Sequence, residues 1–159
     1  PNTIVVTPTN VQSASVMASM MPTMGKLFDS DFNKVRMVEG IDTAMKIIRG
    51  RANIVYQNSE ITSNIVGVTP DKVKDVLPSL QIEKGRFLNS GDMYVVVIGN
   101  KLAKTGFDKE VQIGSILGIE NKSFRVVGIL KAMGQDMLQT DNSIFIPDRA
   151  TRDLLSYQL

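Results

Sequence analysis

The side chains that could carry chemistry in this sequence are restricted to a few types. The chain of 159 residues contains no histidine and no cysteine. A Ser-His-Asp triad, a thiol nucleophile, a disulfide and the usual His- or Cys-ligated zinc site are therefore excluded. Catalysis would have to use carboxylates, lysine, tyrosine, serine or threonine, and no motif pairs a nucleophile with an acid and a base. The residue types thus favour a protein that is not an enzyme.

Acidic residues and glycines provide the remaining signals for a bound ion or phosphate. Four carboxylates lie in polar segments, namely Asp71, Asp75, Asp136 and Asp141. They lack the alternate-residue spacing of a calcium loop, so we expect them at solvated loop and helix positions. The glycines match neither the P-loop nor the dinucleotide-binding pattern, which predicts turn and bulge roles for them. We therefore expect no metal and no cofactor in this chain.

Two polar segments are candidate contacts for a protein partner. Residues 8–25 carry no charge and hold four of the nine methionines. These side chains could form an adaptable partner surface or bind Cu(I) through their soft thioethers, but a mobile or core-filling loop is the simpler interpretation. The second segment precedes the last strand, and loops on rigid scaffolds often carry function. The candidate contact residues are Met17, Met20, Met21, Gln135, Asp136 and Met137.

Composition indicates a folded segment without a signal for nucleic-acid binding or membrane crossing. Hydrophobic residues make up 43% of the chain, which is enough for a packed core. The 18 basic and 16 acidic residues give a net charge of +2, which is too balanced for a nucleic-acid footprint. No window of about 18 apolar residues occurs. Because the chain begins with Pro1, we expect an excised segment of a larger protein.

Periodicity and turn residues predict short helices between strands. The predicted elements are a strand over residues 1–7, a helix over 26–39, one or two strands from 41 followed by a hairpin strand over 61–68, a short helix over 70–77, a buried strand over 94–98, a helix over 101–105, a hairpin of strands 115–120 and 123–131, a strand over 143–146 and a helix over 148–155. Residues 78–93 are predicted as a loop that holds Gly85 and Gly91.

Caps and turns are predicted at specific residues. Asp29 or Ser30 suits the N-cap of the first helix, and Gly40 suits its C′ position. Asn100 is the predicted N-cap of the helix over 101–105. The predicted breaks and turns are at Gly50-Arg51, at residues 57–60 and at Asn121-Lys122.

Short strand and turn patterns follow one another in a fixed order in the second half of the chain. They are Gly85-Arg86-Phe87, Tyr94 to Ala103, Phe124 to Leu130 and Ile144 to Pro147, preceded by Ile65 to Asp71. In this order they resemble the extracytoplasmic domain of MacB-type ABC transporter permeases, the group that includes the FtsX-like and lipoprotein-releasing permeases. The resemblance extends over residues 27–155.

The resemblance implies an α+β fold in three parts. Residues 1–64 would form a porter-like βαβ half, residues 65–147 a β-rich, Sabre-like subdomain with short helices, and residues 148–159 the start of a return segment. Family members complete the porter unit with a further strand, helix and strand that this chain lacks. Because an incomplete porter half would expose sheet edges, we expect it to pair with another copy or to be loosely folded.

The resemblance also implies a function outside the membrane. The domain would pass an ATP-driven conformational change to a substrate or partner, a role that the family calls mechanotransmission, during export of a peptide, an antibiotic or a lipoprotein. The implied partners are the permease's own transmembrane helices, an ABC ATP-binding subunit or domain that holds ATP and magnesium, a second permease copy as homodimer or paired heterodimer, and a periplasmic or extracellular protein, but no nucleic acid.

Two other functions are weighed against this one. The domain could be a sensing or partner-binding module of an FtsX-like regulator of a cell-wall hydrolase, in which case the isolated domain would bind its partner tightly. It could also be an enzyme that uses tyrosine or lysine, which would require a deep pocket around a perturbed side chain.

Overall fold

The computed structural model describes residues 4–6, 29–136 and 138–155. These fall into two compact units, residues 1–44 and 45–159. In the first unit, α1 (Asp29–Arg36) confirms the predicted helix over a shorter range. Gly40 has a φ of 89° but lies in a later turn, so the prediction that it occupies the C′ position is wrong. Residues 4–6 have no regular secondary structure, in contrast to the strand predicted over residues 1–7.

The second unit is built on one mixed sheet. Its strands in the described residues are β1 (Ile48–Tyr56), β2 (Ser59–Val68), β3 (Ile82–Gly85), β4 (Val95–Ile98), β5 (Ile116–Ile119), β6 (Lys122–Leu130) and β7 (Ser143–Pro147). The helices of this unit are a 3-10 turn at Pro70–Lys72, α2 (Val73–Val76), α3 (Asn100–Thr105), a 3-10 turn at Thr140–Asn142 and α4 (Asp148–Leu155). The predicted α+β fold class with a sheet and short helices is confirmed.

The strand pairings close the sheet into a ring. The strand order is β3-β6-β4-β7-β2-β1-β5, and β5 also pairs with β6. Closure between β1 and β5 rests on a short contact in which Ile54 opposes Ile119. Strand β3 lies outside this ring and pairs with the last residues of β6, on the side opposite β4. Closure leaves few open strand edges, which protects a small sheet from edge-to-edge association.

The β1–β2 hairpin differs from the prediction at one point. Strand β1 runs without interruption through Gly50 and Arg51, which pair with Ile65 and Asn64 of β2. The predicted break at Gly50-Arg51 is therefore wrong, because these residues take their place in a continuous ladder. The turn falls at Gln57 and Asn58, inside the predicted region, and Gln57 has a φ of 53°.

The β5–β6 hairpin is confirmed, but its turn is shifted by one residue. Lys122 pairs with Ile119, so the turn residues are Glu120 and Asn121, with φ of 47° and 67°. A two-residue hairpin loop with both φ values positive matches the right-handed twist of its strands. The Glu120 carboxylate accepts a hydrogen bond from the Asn53 backbone N–H (2.9 Å), which ties the tip to β1.

Two predictions around β3 and α3 are wrong. Residues 82–85 form a strand, although their charged side chains and Gly85 suggested a loop. Helix α3 begins at Asn100 with Gly99 as N-cap, so Asn100 is not the cap. The Asn100 side chain is instead buried, and its amide donates hydrogen bonds to the Leu130 carbonyl (3.0 Å) and to Glu83.

The central strands are buried on both faces and divide the core in two. All residues of β7 are buried, with Ile144 and Ile146 in one cluster and Phe145 in the other. The first cluster lies inside the ring and includes Leu102 of α3 and Leu154 of α4. The second packs beneath α2 and the adjoining loops. Strand β4 likewise contributes side chains to both clusters, which confirms the prediction of a strand buried on both faces.

The predicted three-part division of the chain remains a prediction. Its first boundary, at residues 64 and 65, falls within β2, which continues through it as a regular strand. In the described part of the chain, no helix combines the length and apolar character needed to cross a bilayer.

Candidate functional site

The loop between β6 and β7, residues 131–142, contains the second predicted partner contact. It is held in shape by two carboxylates. Asp136 accepts hydrogen bonds from the backbone N–H (2.8 Å) and the hydroxyl (2.6 Å) of Thr140. Asp141 accepts the N–H groups of Met133 and Gly134, each at 2.9 Å. Both carboxylates are thus occupied by N–H and O–H donors.

The acidic residues considered for calcium have ordinary roles. Asp71 and Asp75 are exposed on and before α2, as expected for solvated positions. Asp136 and Asp141 act as acceptors within the β6–β7 loop. Among the described residues, no group of acidic side chains is arranged to hold a metal ion.

The base of the β6–β7 loop is fixed to the sheet. The Ser143 hydroxyl donates to the carbonyls of Leu138 (3.0 Å) and Gln139 (2.8 Å). The Ser63 hydroxyl donates to the Asn142 carbonyl (3.0 Å). At Gly99, a Cβ would overlap the Thr140 carbonyl, so the loop also lies directly against the start of α3. The loop therefore presents a preformed surface to solvent.

The predicted contact residues differ in what they expose. Gln135 is exposed on the β6–β7 loop, whereas Asp136 is half-buried and uses its carboxylate to hold Thr140. Of the two, Gln135 is the side chain available to a partner. The predictions for Met17, Met20, Met21 and Met137 lie outside the described residues.

A second polar cluster, which sequence inspection missed, joins α4 to the sheet. Asp153 of α4 accepts hydrogen bonds from the Tyr94 hydroxyl (3.2 Å) and from the Lys122 ammonium. The Lys122 nitrogen lies 5.9 Å from the centre of the Tyr94 ring, and that ring packs edge-on against Phe124. The hydrogen bond from Lys122 holds the pKa of Asp153 below its ordinary value of 3.8. We refer to Tyr94, Lys122 and Asp153 as the α4 latch.

Helix α4 is also packed tightly against β2. Ala150 and Leu154 are buried in the first core cluster. Thr151 lies directly against Gly67 of β2. A Cβ atom added to Gly67 would overlap the Thr151 hydroxyl and come within 2.9 Å of the Thr151 Cβ. A cavity of about 20 Å³ beside Leu154 has room for no more than a water molecule. The α4 latch and this packing together fix α4 to the sheet.

The glycine and arginine motif of residues 85–87 forms a clamp on the β3–β4 loop. Arg86 donates to both carboxylate oxygens of Asp92, at 2.8 and 3.4 Å, and to the Phe87 carbonyl. The hydrogen bond from Arg86 lowers the pKa of Asp92 from 3.8, and the Asn89 N–H adds to this effect. Gly85, with a φ of 75°, lets the backbone approach Val127. This motif is therefore structural.

The fold and these clusters define a class of protein. Charged and polar side chains of the α4 latch, the β3–β4 clamp and the β6–β7 loop are used to connect one element to another. The arrangement is that of an α+β scaffold that presents a shaped loop and holds helix α4 against its sheet.

The family follows from comparison with known proteins. The family model of the MacB-like periplasmic core domain matches residues 1–159, and the chain belongs to this family. An uncharacterized ABC transporter permease of Methanocaldococcus jannaschii is 36% identical over 118 residues, which are 73% of this chain and 29% of that protein. The macrolide export ATP-binding/permease protein MacB of Bdellovibrio bacteriovorus is 27% identical over 92% of this chain and 23% of its own length. The chain thus spans less than a third of either relative.

Solved structures show the same fold. The periplasmic region of MacB from Actinobacillus actinomycetemcomitans has a TM-score of 0.67 at 21% identity, covering 85% of this chain and 61% of that chain. The extracellular domain of the ABC-type transporter YknZ from Gram-positive bacteria has a TM-score of 0.65 at 17% identity, covering 82% and 67%. The sequence-based assignment to an extracytoplasmic domain of a MacB-like ABC permease is confirmed.

Proposed function

We propose that this domain passes ATP-driven movement of its permease to a substrate or protein partner outside the membrane. In this proposal, ATP and magnesium bind to a separate domain or subunit, and the chain itself needs no cofactor. The permease works as a homodimer or paired heterodimer whose transmembrane helices move the domain. The cargo belongs to the peptides, antibiotics or lipoproteins that are already outside the membrane, in keeping with the macrolide export named for the Bdellovibrio relative.

The attachment of α4 to the sheet is the observation that carries this proposal. Close-packed protein interiors transmit displacement because they have few voids and low compressibility. Helix α4 is fixed by buried Leu154, by Thr151 against Gly67 and by Asp153 in the α4 latch. A displacement applied to α4 would therefore move the sheet with it. The β6–β7 loop, fixed to the same sheet, would deliver that movement to a partner at Gln135.

The test follows movement of the domain in the full-length permease with its ATP-binding subunit in a lipid bilayer. A spin label at Lys131→Cys, the exposed first residue of the β6–β7 loop, reports the distance between the two copies. We expect that distance to change between the nucleotide-free and the vanadate-trapped state. An unchanged distance despite normal ATP hydrolysis would contradict the proposal.

Matched variants show whether α4 carries the movement. Tyr94→Phe combined with Asp153→Asn removes hydrogen bonds of the α4 latch, and we expect it to reduce the change in distance while ATP hydrolysis continues. Asp92→Asn breaks an ion pair of similar chemistry in the β3–β4 loop, away from α4. We expect this control to keep the full change. Equal losses in both would show that overall stability, not α4, is responsible.

A sensing or anchoring module is the second candidate function. It is favoured by the preformed β6–β7 loop, because ordering a loop before binding reduces the entropic cost of association. This function predicts that the full-length permease binds a cell-wall hydrolase or similar partner without ATP, and that Gln135→Ala weakens the binding. Transmission of movement predicts weak binding in the absence of ATP.

A further inference from the structure

The tip of the β5–β6 hairpin carries a triplet whose first and last residues the proposed function does not use. Asn121-Lys122-Ser123 is the one Asn-x-Ser/Thr triplet of this sequence. Such a triplet, with any residue but proline in the middle, is the acceptor motif for N-linked glycosylation of proteins outside the cytoplasm. Membership of the MacB-like periplasmic core domain family places the chain on that side of the membrane.

The hairpin geometry leaves the acceptor accessible. Asn121 is exposed at the second position of a two-residue turn, with a φ of 67°. Ser123 is exposed on the outer face of β6. Neither the Asn121 amide nor the Ser123 hydroxyl is hydrogen-bonded to another residue in the described part of the chain. Both groups that a glycosyl-transferring enzyme must reach are therefore available in the folded protein.

We propose that Asn121 is N-glycosylated in the cell that makes this protein. The amide nitrogen forms a bond to the anomeric carbon of the first sugar while the bond from that carbon to the phosphate oxygen breaks. The phosphate of the lipid carrier leaves with the electron pair, and the amide gives up one proton. The co-reactant is an oligosaccharide linked to a polyprenyl phosphate or pyrophosphate in the membrane.

A glycan at this position would divide the surface of the domain. Strand β6 starts at Lys122 and ends at Leu130, so its two ends lie about 27 Å apart. The glycan would cover the hairpin end, next to Lys122 and the α4 latch. The β6–β7 loop begins at the opposite end and would remain open. Glycosylation would thus leave the end that carries Gln135 open to protein partners.

The test is mass spectrometry of the full-length permease purified from the membranes of its native cell. We expect the peptide that contains Asn121 to carry the mass of one oligosaccharide. Asn121→Asp and Ser123→Ala should each remove this mass, whereas Ser123→Thr should retain it. Aspartate tolerates positive φ nearly as well as asparagine, so Asn121→Asp keeps the turn. Unmodified Asn121 in the native protein, or an added mass that persists in Asn121→Asp, would overturn the proposal.

Discussion

The Tyr94 hydroxyl donates a hydrogen bond to Asp153 Oδ2 over 3.2 Å, joining the residue that precedes β4 to the last turn of α4. The same carboxylate oxygen receives the Lys122 ammonium at the start of β6. One carboxylate thus connects two strands and a helix that are far apart in sequence. This relationship makes the attachment of α4 sensitive to protonation.

Acid should weaken the attachment of α4 before it unfolds the sheet. Lys122 holds the pKa of Asp153 below 3.8 in the folded protein. The Asp153 carboxylate therefore contributes its full stabilisation at pH values above its unfolded-state pKa. This contribution is lost as the pH falls through the lower folded-state pKa. We expect hydrogen exchange in residues 148–155 to rise as the pH is lowered from about 5 to about 2. The comparison is corrected for the intrinsic pH dependence of exchange. Asp153→Asn should already show the higher exchange in residues 148–155 near neutral pH. If its corrected exchange depends on pH in the same way as that of the wild type, Asp153 is not the group responsible.

The β3–β4 clamp should respond to acid in the same direction. Asp92 has its pKa lowered by the hydrogen bond from Arg86, so the clamp contributes stability above a pH of about 4 and loses it on acidification. We expect the melting temperature of Asp92→Asn to fall less than that of the wild type between about pH 6 and about pH 2. If the melting temperatures of the two proteins fall by the same amount over this pH range, the ion pair between Arg86 and Asp92 does not contribute to stability.

A methyl group at Gly67 should separate α4 from β2. Its Cβ would overlap Thr151, and relieving such an overlap typically costs about 1–3 kcal/mol. Gly50→Ala, in the neighbouring strand, is the control, since a Cβ there meets nothing within 4 Å. We expect that change to stabilise the domain by about 0.4–1 kcal/mol through the unfolded chain. Equilibrium denaturation of both variants measures the difference, and equal effects would contradict the packing described for α4.

Substitution of Asn100 separates a capping role from a bridging role. Aspartate is as good an N-cap as asparagine, but it cannot donate to the Leu130 carbonyl and would place a second carboxylate beside Glu83. We expect Asn100→Asp to destabilise the domain by about 1–3 kcal/mol. A free energy of unfolding equal to that of the wild type would support capping instead.

The β6–β7 loop should lose its order when Asp141 is changed. The Asp141 carboxylate accepts the N–H groups of Met133 and Gly134, and hydrogen bonds to charged groups contribute about 1.5–3 kcal/mol. We expect Asp141→Ala to raise hydrogen exchange in residues 131–136 while the strands keep their protection. Gln135→Ala, at an exposed position of the same loop, should leave exchange unchanged. Loss of protection throughout the sheet in Asp141→Ala would indicate a wider role for this carboxylate.

Local sequence patterns predicted the elements whose signals are local. Helix α4 was predicted over its observed range, because Pro147 and Asp148 mark its start. The unbroken apolar run before Ile98 predicted a strand buried on both faces. The order of the short strand and turn patterns between Ile65 and Pro147 was sufficient to predict the family. By contrast, the charged residues of β3 gave no strand signal, since this strand forms through pairing of Ile82, Lys84 and Gly85 with β6.

The clusters that hold the domain together could not be predicted from spacing. Tyr94 and Asp153 are brought together by the fold, and nothing near either residue indicates the other. Asn100 matched an N-cap pattern, but burial beside Glu83 and Leu130 determines its role. Gln135 was predicted as a partner contact from its loop position alone. It is exposed, and its contact with a partner stays a prediction. Contacts between distant segments are set by how strands pair, and a single sequence carries little information about that pairing.

The position of β7 has a consequence for the order in which the domain can form as its chain crosses a membrane. Strand β7 lies between β2 and β4, and its residue Ser143 pairs with Asn64. If the amino end emerges first, β2 and β4 cannot pair with β7, which lies between them, until nearly the whole segment has emerged from the membrane. Such long-range pairing is slow and leaves apolar strands uncovered in the meantime. The rate at which the chain is exported therefore determines how long β2 and β4 must be protected from association with other chains.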